Sequence, residues 1–115
     1  MSRKRMPAHV VREVHARSEG VCEAMIPGVC GWRGEHLHHR KLRSQGGEHT
    51  TENTLDICAR CHDYVHRHTG WSYEQGLLVK GAAEVTWPPV YYRGRRKDDG
   101  THEYDQWGAL EGDQE

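Results

Sequence analysis

The alternation of apolar and polar residues predicts a helix near the start of the chain. In AHVVREVHARSEG, which runs from Ala8 to Gly20, the residues Val10, Val11 and Val14 recur at helical spacing. The glycine that follows is a typical end for a helix. The first element is therefore predicted to be an amphipathic helix.

The middle of the chain has shorter patterns. VCEAMIPGVCG (21–31) contains proline and glycine and is predicted to be a loop. EHLHHR and TLDIC are each typical of a short strand, and the polar stretch SQGGEHTTEN (44–53) between them is predicted to be a loop. ARCHDYVHRH (59–68) is compatible with a helix that ends at Thr69 and Gly70. The predicted order is strand, long loop, strand, helix.

Beyond that helix the pattern weakens. WSYEQGLLVKG predicts a short strand around Leu77–Val79, and WPPVYY is predicted to be extended because of its prolines. From Arg93 onward apolar residues are few and like charges stand in blocks, so residues 93–115 are predicted to be a disordered acidic tail. Within that tail, Trp107 and Leu110 are candidates for docking to a partner.

The composition limits how large a core this pattern can build. The chain has 115 residues, of which 35% are hydrophobic and none is Phe, so we expect one domain with a thin core. Small domains of this kind usually need a disulfide or a structural metal. We predict a flexible basic arm over residues 1–7 and one folded domain over residues 8–92.

The charge is unevenly distributed. Residues 1–45 carry nine basic and four acidic side chains, whereas residues 46–92 and 93–115 each have a net charge of -3. A basic front half suggests a surface that faces nucleic acid, although a solvated charge run is the commoner reading of any one cluster. No segment approaches the roughly 18 apolar residues of a membrane span, and no apolar stretch follows the basic start. We therefore expect a cytoplasmic protein without a membrane partner.

Four cysteines in a reducing cytoplasm are better explained by metal binding than by disulfides. Cys58 and Cys61 form a CxxC pair that allows two thiolates to bind one ion from a single turn, and Cys22 and Cys30 form a second pair. We predict a structural zinc with these four ligands, with free thiols and disulfides as the alternatives. Such a zinc would supply stability that the thin core lacks.

The histidines offer a second metal site. His62 and His66 stand four residues apart on the predicted helix and project from one face. Adjacent side chains on a strand point to opposite faces, so His38 and His39 cannot easily bind the same ion. One of them would complete a three-histidine site and the other would lie beside it unligated. A free imidazole next to a metal has the properties of a general base that activates water.

The stretch HLHHRKLRSQGGEHTTENTLDICARCHDYVH resembles the HNH nuclease motif of the ββα-metal (His-Me finger) superfamily. The flanking cysteines resemble those of the zinc-stabilised members of phage and bacterial genomes. The resemblance covers roughly residues 21–68. It implies a small α+β fold, in which a ββα-metal core with a four-cysteine zinc site is joined by an N-terminal helix and a disordered C-terminal tail.

By position, the resemblance implies that His39 is the general base and that His38, His62 and His66 bind the catalytic metal. Asn53 would close the loop and help to orient the base. Many relatives have Asp where His38 stands, and the three-histidine set is similar to that of the nuclease colicins. It suits Mg²⁺, Mn²⁺, Ni²⁺ or Zn²⁺. The implied activity is one-metal hydrolysis of DNA phosphodiester bonds that leaves 3′-hydroxyl and 5′-phosphate ends.

Basic residues follow the catalytic strand directly. Arg40, Lys41 and Arg43 are predicted to contact the DNA backbone, with a solvated basic loop as the alternative. Arg12 and Arg17 on the first helix would extend this track. No helix-turn-helix or finger signature is present, so we expect sequence specificity to come from a partner or from weak groove contacts.

The alternative function is a non-catalytic, zinc-bound DNA-binding or assembly module, for example in phage genome packaging. One HNH site cuts one strand, so double-strand cleavage would need a homodimer or two visits. The resemblance also agrees with a packaging or terminase partner. It agrees further with a phage-encoded protein that is located in the bacterial cytoplasm. Of the other histidines, His36 is expected beside the metal or in solvent, and His49 and His68 are expected to have no role.

Overall fold

The computed structural model of this chain describes residues 5–86, 91–92 and 95–96. None of the helices in this part of the chain is long and apolar enough to cross a membrane. The elements follow in the order α1 (Ala8–Ser18), β1 (His36–His39), a 3₁₀ turn (Arg43–Gln45), β2 (Thr54–Ile57), α2 (Ala59–Arg67), α3 (Thr69–Gln75), β3 (Tyr91–Tyr92) and β4 (Arg95–Arg96).

The centre of the fold is a ββα unit. Strands β1 and β2 pair antiparallel, with His38 opposite Leu55 and His39 opposite Thr54. Helix α2 packs against β1 and against α3. The pleat turns the His38 side chain into the interior and leaves that of His39 half-buried. The predicted α+β class and the predicted strand–loop–strand–helix order are confirmed.

The core is small and lies between the sheet, α2 and the segment after α3. It contains the buried cysteines together with apolar side chains of β2, α2, α3 and the segments before β1 and after α3. Its largest apolar members are Ile26, Leu55, Ile57, Val65, Trp71, Leu77 and Leu78.

Helix α1 is held on β2 by apolar and by polar contacts. Val10 and Val14 are buried on one face, as their spacing predicted. At the end of the helix, Arg17 forms an ion pair with the buried Glu23, whose Oε1 also accepts the main-chain N–H of Asp56 at 2.8 Å. Arg17 is therefore occupied inside the fold, which is at odds with its predicted place on a DNA track.

Two predictions for the region after α2 are corrected. Helix α2 ends before Thr69, but a further helix, α3, begins there at once and buries Trp71. The strand predicted around Leu77–Val79 is wrong. Leu77 and Leu78 fill the core from irregular backbone, and the Val79 N–H donates to the Arg40 carbonyl at 2.8 Å. The short apolar run therefore indicates buried side chains here, and not a β-strand.

The segment WPPVYY (87–92), which was predicted to be extended, includes strand β3, and this strand pairs antiparallel with β4. The predicted disordered tail was expected to begin at Arg93, yet Arg95–Arg96 form that strand. Residues 97–115, including Trp107 and Leu110, and residues 1–4 of the predicted arm lie outside the described residues.

Candidate active site

The four cysteines converge between the N-terminal loop and the start of α2. Their Sγ atoms all lie within 4.8 Å of one another, and each cysteine is a free thiol. Main-chain N–H groups point at the sulfurs: those of Gly31 and Cys61 donate to Cys58 Sγ, and that of Trp32 donates to Cys30 Sγ, each at 3.2 Å. Such bonds favour thiolates. Four protein ligands would fill a tetrahedral site and leave no position for substrate.

The ionisation of these thiols shows why a cation fits among them. The Cys61 thiol donates a hydrogen bond to the Cys22 thiolate, which lowers the pKa of Cys22 to about 5 and raises that of Cys61. Burial raises the pKa of Cys30 to about 12. Thiolates this close together repel one another, whereas a divalent metal would stabilise them together. The cysteine set can therefore hold a metal ion such as zinc.

A second cluster joins β1 to α2. His38, His62 and His66 each place one ring nitrogen within 4.8 Å of the others. Their ring centroids are 4.9 to 5.4 Å apart, edge to face. The first ring is buried, the second half-buried and the third exposed, so the cluster opens to solvent on one side. Converging imidazole nitrogens are a donor set for divalent transition metals.

The ring of His38 is held in one tautomer. Its Nε2 lies 2.7 Å from the main-chain carbonyl oxygen of Leu77. A carbonyl only accepts, so Nε2 carries the proton and Nδ1 keeps the lone pair that a metal requires. Burial lowers the pKa of His38 to about 3, and the ring is therefore neutral at physiological pH.

His36 contacts the second ligand of the cluster. Its Nδ1 lies 2.8 Å from Nδ1 of His62, and the two rings meet edge to face. Burial, followed by the neighbouring charges of His66 and His36, lowers the pKa of His62 to about 4. His36 is exposed and also lies beside the three-histidine cluster, so it combines the two placements expected for it.

His39 lies on the other face of β1, outside the three-histidine cluster. Its Nε2 is 3.0 Å from Nδ1 of His49. Burial lowers its pKa, with further contributions from the charges of His49 and Arg43. A neutral, half-exposed imidazole is suited to accept a proton from water. We expected no role for His49; only the folding of the loop, which no local pattern predicts, brings it to His39.

Asn53 closes that loop through main-chain bonds. Its Oδ1 accepts the Lys41 N–H at 2.7 Å, and its Nδ2 donates to the carbonyls of Lys41 and Glu48, both at 3.0 Å. The glycine pair fits this closure: Gly46 has a φ of +89°, and a Cβ on Gly47 would overlap the Lys41 carbonyl oxygen. Asn53 thus reaches His39 only indirectly, through the loop that carries His49.

Arg40 does not lie on the surface, which contradicts its predicted contact with DNA. Its side chain is 1% exposed, and its guanidinium donates to the main-chain carbonyls of Gly76, Glu52 and Thr86 at 2.9 to 3.2 Å. Burial lowers its pKa to about 10. The three carbonyls provide the hydrogen bonds that a buried cation needs. Arg40 therefore joins β1 to the segments around it.

The other predicted DNA contacts are more accessible. Arg43 is exposed, with one guanidinium N–H donated to the Gly47 carbonyl at 2.7 Å. Lys41 is half-buried, and its ammonium donates to the Gly81 carbonyl at 3.3 Å. Arg12 is exposed on α1. These side chains remain available to phosphates, whereas Arg40 does not.

The comparison with known families agrees with this geometry. Residues 22–68 match the model of the family described as HNH endonuclease. The match begins at Cys22 and ends at His68, so it contains both clusters together with His39 and Asn53. No curated protein and no solved structure matches the chain. The HNH resemblance of the motif is confirmed over this segment.

Proposed function

We propose that this chain, whose residues 22–68 carry an HNH endonuclease domain, is a metal-dependent DNA endonuclease with His39 as its general base. One observation carries the proposal. Strand β1 holds two adjacent imidazoles on opposite faces, and only His38 joins the three-histidine cluster. His39 lies outside the cluster, and burial lowers its pKa. His38 can therefore bind the metal, while His39 remains free to accept a proton.

The two clusters would hold two different ions. The four cysteines would bind a structural zinc, and His38, His62 and His66 would bind a catalytic divalent metal, for which Mg²⁺, Mn²⁺, Ni²⁺ and Zn²⁺ are candidates. When bound at the histidines, the ion supplies Lewis acidity at the phosphate and stabilises the leaving oxygen.

His39 performs the proton transfer. Because His49 contacts its Nε2, the Nδ1 of His39 is the nitrogen available to a water molecule. The water proton moves to this nitrogen, the water oxygen attacks phosphorus, and the bond from phosphorus to the 3′-oxygen breaks while the leaving 3′-oxygen takes up a proton from solvent. The products are a 3′-hydroxyl and a 5′-phosphate. One site cuts one strand, so double-strand cleavage would take a homodimer or two successive events.

DNA would be held largely through its phosphates. Arg43 and Lys41 follow β1 on the accessible side of the loop and can neutralise phosphate charge near the cut. Arg40 is excluded from this role because it is buried. Phosphate contacts of this kind carry no sequence information, and specificity would then depend on a partner such as a packaging or terminase protein.

The function is tested by plasmid nicking with purified protein in Mg²⁺, Mn²⁺, Ni²⁺ and Zn²⁺, together with a count of bound metal per chain. We expect nicking by the wild type and its loss in His39→Ala, with zinc content and fold unchanged. His15→Ala, which removes an exposed histidine from α1, is the matched control and should nick normally. Retained nicking in His39→Ala would contradict the assignment of the base.

The same experiment separates the alternative function. A wild-type chain that binds DNA and zinc but nicks with none of the four metals would be a non-catalytic DNA-binding or assembly accessory, as in phage genome packaging. The paired imidazoles of β1 favour the nuclease, because a binding module would have no need for a base beside the three-histidine cluster.

A further inference from the structure

One large apolar side chain is exposed in the described part of the chain, and it belongs to Trp32, which is 63% exposed. Its backbone has a φ of +75°, in the left-handed region that glycine adopts freely and that bulky residues rarely adopt. The indole gains little burial on folding, and its backbone conformation is unfavourable. Stability therefore does not explain this residue, and binding is the better explanation.

The turn that carries Trp32 is fastened to the cysteine cluster on both sides. The Trp32 N–H donates to Cys30 Sγ at 3.2 Å, and its carbonyl accepts the Cys22 N–H at 2.8 Å. The preceding N–H, that of Gly31, donates to Cys58 Sγ at 3.2 Å. The ring is thus presented from a fixed backbone, so that little conformational entropy is lost when it makes a contact.

Two exposed cations lie close to the turn that carries the indole. Arg33 follows it directly, and Arg60 lies on the first turn of α2 with its stem beside the turn, since its Cδ is 3.6 Å from the position of a Cβ on Gly31. The nearby carboxylate of Glu35 is engaged with the Ala59 N–H at 3.0 Å, at the start of α2. We call Trp32, Arg33 and Arg60 the Trp32 surface. An exposed aromatic ring, with one guanidinium group on its own turn and another on the helix beside that turn, suits a polyanion that offers flat aromatic rings.

The Trp32 surface and the three-histidine cluster are linked through helix α2 and strand β1. The turn that carries Trp32 leads into β1, whose first residue, His36, contacts His62. Helix α2 carries both Arg60 and His62, so the two groups of residues share one element.

We propose that the Trp32 surface binds DNA, with the indole stacked on an unpaired or partly unstacked base and the two guanidinium groups on the flanking phosphates. The proposal rests on the proposed function, since it assumes that DNA is what the HNH domain acts on. It adds a preference for DNA in which a base face is accessible, because a stacked duplex hides its base faces from a side chain.

Trp32→Gly is a suitable variant because glycine favours the backbone conformation at this position, so the side chain is removed without added strain. Binding is measured by fluorescence anisotropy in the full chain carrying His39→Ala, on a short duplex and on the same duplex with an unpaired bulge. Stacking on one base corresponds to a loss of roughly 5- to 150-fold in affinity. We expect a loss in that range on the bulged DNA and a smaller loss on the intact duplex.

Two matched variants separate stacking from charge. Trp32→Phe keeps an aromatic face and should retain most of the affinity. Arg33→Gln should weaken binding to both DNAs and lower the slope of log affinity against log salt by about 1, whereas Trp32→Gly should leave that slope unchanged. The melting temperature of Trp32→Gly should equal or exceed that of the wild type.

The failure of this proposal is distinguishable from the failure of the proposed function. If the wild type nicks plasmid DNA and Trp32→Gly binds both DNAs as tightly as its parent, the Trp32 proposal is overturned and the nuclease stands. If the wild type neither binds nor nicks DNA, both fail together.

Discussion

The His38 imidazole donates its Nε2 proton to the main-chain carbonyl of Leu77 over 2.7 Å, across 39 residues of sequence. Leu77 lies beyond the matched segment 22–68, in the irregular stretch after α3. A hydrogen-bond partner of this kind determines which ring nitrogen can face a metal. Its loss commonly lowers metal affinity by 10- to 100-fold. The candidate site therefore depends on residues that the HNH motif does not contain.

The first prediction concerns acid stability when the histidine site is free of metal. Burial lowers the pKa of His38 to about 3, whereas the unfolded chain has the usual value of 6.5. Below pH 6.5 the unfolded state therefore binds a proton that the folded state does not. The free energy of unfolding should fall as the pH is lowered, with a contribution from His38 of up to about 1.4 kcal/mol per pH unit.

Urea unfolding between pH 7 and pH 5, compared with His38→Gln, isolates this contribution, because the cysteine site is common to both proteins. The wild type should lose stability more steeply than the variant. Parallel curves for the two proteins would show that His38 is not buried in its neutral form.

The second prediction compares two arginines of one segment. Arg43→Gln should weaken DNA binding and lower the salt slope by about 1, with little change in unfolding free energy. Arg40→Gln should leave the salt slope unchanged but destabilise the fold by about 3 kcal/mol, because the hydrogen bonds from the buried guanidinium to three main-chain carbonyls are lost. Salt titrations of anisotropy and urea unfolding measure the two effects. A reduced salt slope in Arg40→Gln would restore its predicted DNA contact.

The case of Arg40 shows how far the sequence alone could go. Alternation along β1, extended by one residue, places Arg40 on the same face as His38, but its charge argued for the surface. Burial becomes tolerable only because Gly76, Glu52 and Thr86 supply carbonyls from segments that lie far apart in sequence. No local pattern encodes that convergence.

The cysteine cluster and the histidine cluster could be predicted because several of their members follow local spacings in the sequence. The CxxC pair and the i, i+4 histidines of α2 have spacings that the geometry of a single turn fixes, so the sequence alone points to shared ligands. His49 and Leu77 carry no such spacing. Their positions follow from the closure of the loop and from the path of the chain after α3, both of which are tertiary.

The third prediction concerns the glycine pair. Gly47→Ala should destabilise the fold by about 1–3 kcal/mol and slow nicking, because its Cβ would overlap the Lys41 carbonyl and loosen the loop that Asn53 closes. Gly70→Ala, on helix α3 with no atom within 4 Å of a Cβ, is the control and should stabilise by about 0.5–1 kcal/mol. Thermal unfolding and plasmid nicking measure both. Equal melting temperatures and equal nicking rates for the two variants would show that Lys41 and Gly47 are not packed together.

The fourth prediction tests the cysteine cluster. Cys58→Ser keeps a side chain that can cap α2, since Cys58 accepts the Cys61 N–H there, but serine is a poor ligand for zinc. The variant should lose one metal ion per chain and should be largely unfolded at 25 °C, because structural zinc typically contributes about 10–16 kcal/mol of apparent binding free energy. Elemental analysis and circular dichroism provide the readouts. A folded Cys58→Ser chain with unchanged metal content would rule out the four-cysteine site.

The last prediction separates the two outer histidines, each of which contacts one imidazole of the site. His36 lies 2.8 Å from His62, so His36→Ala should weaken metal binding at the histidine cluster by about 10- to 100-fold and leave the pH profile of nicking at saturating metal unchanged. His49 lies 3.0 Å from His39, and its charge helps to lower the pKa of that base. His49→Ala should therefore leave metal affinity intact and raise the pKa of His39. In the proposed mechanism nicking requires the neutral His39 ring, so the acid limb of the nicking rate should then move to higher pH. Metal titration by calorimetry and nicking rates measured against pH distinguish the two variants. If His49→Ala weakened metal binding and His36→Ala shifted the pH profile, the assignment of ligand and base would be reversed.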